Sequence, residues 1–378
     1  MGMRNMLRSC LLLLCVMAFP LTVQANQLGI AAEYNVFMVG LGDLNLAPEL
    51  RYSIKQSDTD VEGRVAAAVN VYYGKPPVGD EKLNEVGFAV ASKITIPNPL
   101  LPDLVAGGNL ELRNGSVGDK NNQNGLIFAG GTAEIGQTKG VDYVGYGGRT
   151  TYNPIDFEAE KNRLQNLSSS WDSLAPTGKV EAPNNGQVIF TGGNSDLNIF
   201  NWNTSNLQTH LWENPPPEGS GLGFFLNVPF GSTVLINIED AESDVYLTNA
   251  GFYIAKTFMP NPEDYIPKNN TDASNKYYEG DTYEGYPNSK ILFNFEKITD
   301  LYIQYIEING SVLAPWADIF FDQEAHIDGH LIGMSLSGNG ESHNIRFDGN
   351  IPVPEPATLI LLGSGLAGIA ALRRRKTT

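Results

Sequence analysis

Ala106-Gly107-Gly108-Asn109-Leu110-Glu111-Leu112 and, 23 residues on, Ala129-Gly130-Gly131 are the stretches on which the fold turns. Each pairs a Gly-Gly unit with short runs of β type, Leu110-Glu111-Leu112 after the first and Leu126-Ile127-Phe128 before the second. Gly147-Gly148-Arg149 lies 17 residues further, and Thr191-Gly192-Gly193-Asn194 follows. Irregular repeats near 20 residues, cornered by glycine and separated by brief strands, are the pattern of a β-solenoid. Each coil then stacks on the one before it and buries what it could not bury alone. A β-sandwich with Gly-rich loops is the alternative reading of the same pattern.

Further along, Ser232-Thr233-Val234-Leu235-Ile236-Asn237-Ile238 is the clearest strand of the second half. Ile291 to Phe295 and Leu301 to Ile308 return to β, and Ile327-Asp328-Gly329-His330-Leu331-Ile332-Gly333 has the form of a closing coil. One helix is expected from about Asp156 to Leu174. Asp156 can cap it, Glu158 and Glu160 suit its positive N-terminal end, and Pro176 and Gly178 stop it. Phe157, Leu164, Leu167, Trp171 and Leu174 share one face. A single amphipathic helix in a β-rich chain is expected to pack along the flank of the solenoid. The stretch from Asn261 to Asn288 is poor in aliphatic residues and reads as a long loop. Its tyrosines Tyr265, Tyr277, Tyr278, Tyr283 and Tyr286 either stack on ligands or pack onto the body.

The two ends carry addresses. Arg4 and Arg8 precede the apolar run from Cys10 to Phe19, and Val23-Gln24-Ala25 offers a cleavage site after Ala25. Residues 1–25 therefore read as a signal peptide handled by the Sec export machinery. Both cysteines, Cys10 and Cys15, lie inside it, so the mature chain would hold no disulfide, thiolate metal site or cysteine nucleophile. At the other end, residues 353–378 contain Pro354, Glu355 and Pro356, then the uncharged stretch from Ala357 to Leu372, then Arg373, Arg374, Arg375 and Lys376. Prolines around a glutamate keep the entry extended. The apolar stretch is slightly short for a bilayer, and the basic cluster would stay on the cytoplasmic side.

This tail resembles the PEP-CTERM sorting signal. The resemblance implies an exosortase, a membrane protease, as partner. It implies transient residence in the inner membrane and delivery to the outer surface or extracellular matrix of a Gram-negative bacterium, often among exopolysaccharide. Pro354, Glu355 and Pro356 carry the processing role by that resemblance.

The body between, residues 26–352, resembles the choice-of-anchor A family. Tyr34-Asn35-Val36-Phe37, Asp60-Val61-Glu62-Gly63-Arg64-Val65-Ala66-Ala67, Ala106-Gly107-Gly108-Asn109, Pro154-Ile155-Asp156-Phe157, Gly231-Ser232-Thr233-Val234-Leu235-Ile236-Asn237 and Gly310-Ser311-Val312-Leu313-Ala314-Pro315 occur in that family's order. The resemblance implies a right-handed, ice-binding-like adhesive β-solenoid with a helix alongside and no assigned catalytic residues. Three features depart from the family: Ala67-Ala68-Val69-Asn70 stands where a Gly-Gly-Asn turn is usual, Trp316 follows the Leu-Ala-Pro motif, and residues 261 to 288 are inserted.

Charge narrows the partners. The chain has a net charge of −17, and leaving out the six basic residues of the terminal segments takes it to about −23. Such a surface repels nucleic acid. Glu239, Asp240, Glu242 and Asp244 follow a strand and are weak candidates for Ca²⁺, although their spacing matches no EF-hand or nonapeptide repeat and a solvated turn is the simpler reading. His326 and His330 are four apart, but Asp328-Gly329 breaks the segment and the pair need not converge. His210 and His343 stand apart in sequence. No nucleophile elbow, P-loop or dinucleotide fingerprint is present. Threonines form no Thr-x-Thr ladder of the kind an ice-binding face needs. The expectation is a non-enzymatic surface or matrix protein of structural or adhesive role, with no cofactor beyond a possible Ca²⁺. A carbohydrate-binding or ice-binding module is the alternative, and a polysaccharide-processing β-helix enzyme the second.

Overall fold

The computed structural model describes residues 27–41, 51–74, 87–94, 100–113, 115–118, 125–135, 144–145, 148–182, 187–203, 223–239, 244–267, 273, 275–279, 288–322 and 324–353. The signal-peptide and sorting-tail segments, Ala25 and Pro354 to Lys376 included, lie outside them. Among the described residues no helix is long and apolar enough to cross a membrane.

Short strands stack into a three-sided parallel β-solenoid. Among the described residues only two pairings are antiparallel, Lys179–Glu181 with Gln187–Thr191 and Tyr277–Glu279 with Asp244–Ala255. Most strands of the first half are three residues long and alternate buried and partly exposed side chains, as in Val71–Tyr73 and Leu110–Leu112. Two residues per strand therefore point inward and one outward. The inward ones, such as Val65, Leu104, Ile127, Val71, Leu110, Val61 and Phe88, merge into one core running the length of the stack. One side, here called A, holds Leu197–Asn203, Thr233–Glu239, Ile291–Phe295, the first parts of Ser311–Asp322 and Leu331–Gly338, then Val36–Met38, Val65–Ala67, Leu104–Ala106, Leu126–Ala129 and Gly148–Thr150.

This order is not the chain order. Val36–Met38 enters in the middle of the stack, between Leu331–Gly333 and Val65–Ala67. The chain then coils to one end, crosses back through the helix Phe157–Asp172, restarts at the opposite end and returns to meet its own first strand, with Val36 beside Leu331.

The Gly-Gly corners stack as the sequence predicts. Gly107 N–H donates to Ala67 O at 2.8 Å, and Gly130 N–H to Ala106 O at 2.9 Å. A Cβ on Gly107 would stand 2.0 Å from Ala68 O, and one on Gly130 2.2 Å from Gly107 O. Only glycine allows that approach of backbone to backbone. Ala67-Ala68-Val69-Asn70 forms the next corner of the same stack despite lacking the glycines. Asparagine continuity keeps it in place: Asn70 Oδ1 accepts from Asn109 N–H at 2.9 Å, and Asn109 Oδ1 from Thr132 N–H at 2.9 Å. The third Gly-Gly unit behaves differently. Gly148 opens the strand Gly148–Thr150, in register with Leu126, so it is not a corner. Spacing alone could not separate a corner glycine from one at a strand start.

The helix is capped as expected, with Asp156 Oδ1 accepting from Ala159 N–H at 3.1 Å. An isolated helix of 16 residues is marginal in water. Docking holds this one: Leu164, Leu167 and Trp171 are buried on the outer surface of side A, each adding about 1.5–3 kcal/mol of apolar burial. The outward residues of side A form the matching ladder, Phe128, Val105, Ala66, Phe37, Ile332 and Leu313 among them. Phe347 and Ile351, after the last strand, pack onto the same layer, and Trp171 Nε1 donates to Pro352 O at 3.2 Å.

The stretch expected to be a long loop contains regular elements. Pro262–Tyr265 is a helical turn and Tyr277–Glu279 a strand on the edge of the body. Tyr265 and Tyr277 are buried against Ile189 and Phe225. Desolvation first, then the hydrogen bond to Glu181, pushes the Tyr265 phenol up to about 12. These two tyrosines belong to packing. Tyr278 sits under the Lys256 ammonium, while Tyr283 and Tyr286 lie outside the described residues.

Candidate functional site

The three sides differ in what lies on them. Side A is covered by the helix, by Leu28, Ala31 and Ala32, and by Phe347 and Ile351. One end of the second side, called C, is overlaid by Tyr265 and Tyr277. The third side, B, carries a half-exposed outer row. Register places that row strand by strand: Tyr246 beside Tyr302, Tyr302 beside Phe320, Phe320 beside Ser337, then Lys55, Tyr72, Glu111 and Glu134. Each belongs to a strand whose flanking residues point inward, so alternation alone turns it out.

At one end of side B the row is aromatic. The rings of Tyr246 and Tyr302 stack at 4.4 Å and 7°, and Phe320 lies tilted at 6.1 Å from Tyr302. The Tyr302 phenol is raised by partial desolvation and by the Tyr246, Asp300 and Asp244 groups beside it. Two residues earlier on the same strands runs a second row, Asp244, Asp300 and Asp318. Ser335 continues it and donates to Asp318 Oδ1 at 2.7 Å. Side B thus presents ring edges, phenol hydroxyls and one tilted ring beside a line of carboxylates. Aromatic groups give contact area at low entropy cost, and carboxylates accept hydrogen bonds from hydroxyl groups.

The acidic quartet is divided. Glu239 ends its strand on side A and accepts from Asn201 Nδ2 at 3.1 Å, while Asp244 heads the acidic row on side B. Asp240 and Glu242 lie outside the described residues, as does His210. His326 and His330 do not meet. His330 turns into the body, where its Nδ1 lies 2.7 Å from Tyr34 O, and burial lowers it to about 4. His343, solitary in sequence, has neighbours in space: its Nδ1 is 2.5 Å from Asp328 Oδ1, and its ring lies 5.7 Å from that of His326. The aromatic row was also missed in sequence. Each of its members sits between two apolar residues, as in Leu301-Tyr302-Ile303, which is its one local signal.

The sequence pattern of the ice-binding-like adhesive domain matches residues 27–344. The chain belongs to that family. The match spans the whole three-sided stack and ends beside His343. Adhesive domains of this family are non-enzymatic, in keeping with the expectation from the motifs. A second pattern, the PEP-CTERM protein-sorting motif, matches residues 352–376 and marks this adhesive domain for export and exosortase sorting to the cell surface. No curated protein matches the chain. Among solved structures, it is similar to an ice-binding protein from the Antarctic ascomycete Antarctomyces psychrotrophicus, at 7% identity over 84% of this chain and 97% of that one, with a TM-score of 0.30. It is also similar to an ice-binding protein from an Arctic yeast, at 8% identity, 87% and 96% coverage and a TM-score of 0.26. An ice-binding domain of Shewanella frigidimarina shares 11% identity over 86% and 97% of the chains, with a TM-score of 0.26.

Proposed function

We propose that the protein is a matrix adhesin of a Gram-negative bacterium, sorted to the outer surface, and that side B holds an extracellular polysaccharide. The observation that carries this reading is the row Tyr246, Tyr302 and Phe320 lying beside Asp244, Asp300 and Asp318 on a parallel sheet. Neighbouring strands lie about 4.8 Å apart, so a pyranose ring spans one to two of them. Its C–H groups would meet ring edges and the tilted Phe320, and its hydroxyls would donate to the carboxylates. The net charge of −17 favours a neutral polymer over one rich in uronic acids. Retention on a polymer chain would come from repeated weak contacts along the row.

Ice as the ligand is less well supported, because the row from Tyr246 to Glu134 holds aromatic and charged residues and Ser337, and Thr248 on the same side is buried. The reading as a non-enzymatic binder is tested by incubating the secreted protein with exopolysaccharide from its own host. Cosedimentation with polymer of unchanged length is expected. Shortening of the polymer would show an enzyme, and protein left wholly in the supernatant would remove polysaccharide as the ligand.

A further inference from the structure

A 2×2 square of polar side chains stands on side C, well away from the aromatic row. The strands His326–Asp328 and Glu341–His343 are parallel neighbours, with His326 beside Glu341 and Asp328 beside His343. Ile327 and Ser342 point inward between them, so all four flanking side chains point outward on one surface. One ligand atom each from His326, Glu341 and His343 can be chosen so that all three lie within 4.8 Å of one another. We infer that His326, Glu341 and His343 form a binding site for a divalent transition-metal ion, best matched by Zn²⁺, with Asp328 as the group that orients His343.

Four features argue for it. Two imidazoles and one carboxylate are borderline ligands of the kind zinc takes, whereas Ca²⁺ requires six or more oxygens. In a tetrahedral site with bonds near 2.0–2.1 Å, ligand atoms stand about 3.3 Å apart, so the present triangle has to tighten by up to about 1.5 Å, within the reach of rotamer adjustment. The contact of His343 Nδ1 with Asp328 Oδ1 fixes the tautomer that presents Nε2 outward. A carboxylate behind a histidine is the usual support of a metal ligand. Finally, the next strands on either side bring further carboxylates. Glu307 is in register with His326, while Asp60 and Glu62 flank Val61, which pairs with Ser342. The Lys93 ammonium is paired to Glu62. The three protein ligands leave a fourth position on the solvent side for water or an outside oxygen donor. The site is half-buried, and the inference goes beyond the reading of side B and is independent of it.

The test is calorimetric titration of Zn²⁺ into the full-length, chelator-treated protein in mild detergent. One ion per chain is expected. His326→Gln and His343→Gln should each abolish it, and Asp328→Asn should weaken it by about 10–100-fold. His330→Asn, which alters a buried histidine outside the square, should leave binding unchanged. A Co²⁺ titration followed by visible absorption gives a second readout, since a four-coordinate site colours strongly and scattered surface binding does not. No saturable binding, or binding of the same affinity in both histidine variants, would overturn the proposal. Polysaccharide cosedimentation of His326→Gln should equal that of the wild type, so failure here would leave the reading of side B standing.

Discussion

Ser168 of the helix and Asn294 of side A, 126 residues apart, bond to each other in both directions. Ser168 Oγ donates to Asn294 Oδ1 at 2.6 Å, and Asn294 Nδ2 donates to the Ser168 carbonyl at 3.0 Å. Both side chains are fully buried. Asn294 also donates to Asn237 Oδ1 at 2.9 Å, and Asn237 Nδ2 to the Trp171 carbonyl at 3.0 Å. This polar seam fixes the position of the helix along an otherwise apolar ladder, which would tolerate sliding. Asn294→Ala strands the Ser168 hydroxyl and should cost on the order of 2–3 kcal/mol in denaturant unfolding. Adding Ser168→Ala should cost less than its effect alone, by the coupling of groups in one network.

The stacked corners predict an asymmetry between two adjacent coils. Gly107→Ala would put a methyl against a backbone oxygen that neither chain can move, and should cost about 3 kcal/mol or more, or prevent folding. Ala68→Gly, at the equivalent place one coil away, loses only chain stiffness and should cost no more than about 1 kcal/mol. Thermal or urea unfolding of the two variants decides this.

His330 gives stability a pH dependence. Its Nδ1–H faces Tyr34 O, and its Nε2 is buried with no partner among the described residues, so the folded protein favours the neutral ring. The folded value near 4 lies below the ordinary 6.5, so the unfolded chain binds the proton more readily. This contribution is fully present above about pH 6.5 and is lost as pH falls toward 4, by up to roughly 3 kcal/mol. His330→Asn keeps a donor to Tyr34 O without a titrating ring. Unfolding curves from pH 7 to 4 should flatten for that variant relative to the wild type.

Sorting should depend on the motif that follows the body at once. Trp171 Nε1 and Gln27 Oε1 hold Pro352 and Ile351, only two residues before Pro354. Replacing Pro354, Glu355 and Pro356 with alanine should keep the protein in the inner membrane at unprocessed mass. Fractionation with mass measurement checks it, and unchanged surface display would contradict the processing role.

Much of the solenoid was legible because its determinants are local. Gly107, Gly130, the Asp156 cap and the Leu164, Leu167 and Trp171 face are all read within one coil or one helix. The non-sequential order was not legible. Val36-Phe37-Met38 has the same apolar character as its neighbours, so nothing local says that it lies between Leu331 and Val65. The same gap hid both surface features. His326-x-Asp328 and Glu341-x-His343 are 15 residues apart in each member, a coil length that would have paired them had the register been known. Tyr246, Tyr302 and Phe320 are 56 and 18 residues apart, and only the lateral register of three coils makes them a row.

Side B is the proposed adhesive surface. The most direct test compares wild type with Tyr302→Ser, Phe320→Ser and the double variant, both positions being half-exposed, in cosedimentation with the host's purified neutral exopolysaccharide. Matched circular dichroism and unfolding midpoints confirm an intact solenoid in each. The double variant is expected to lose at least about tenfold in apparent affinity, as removal of two aromatic contacts should. Retention of full binding by a correctly folded double variant would contradict it.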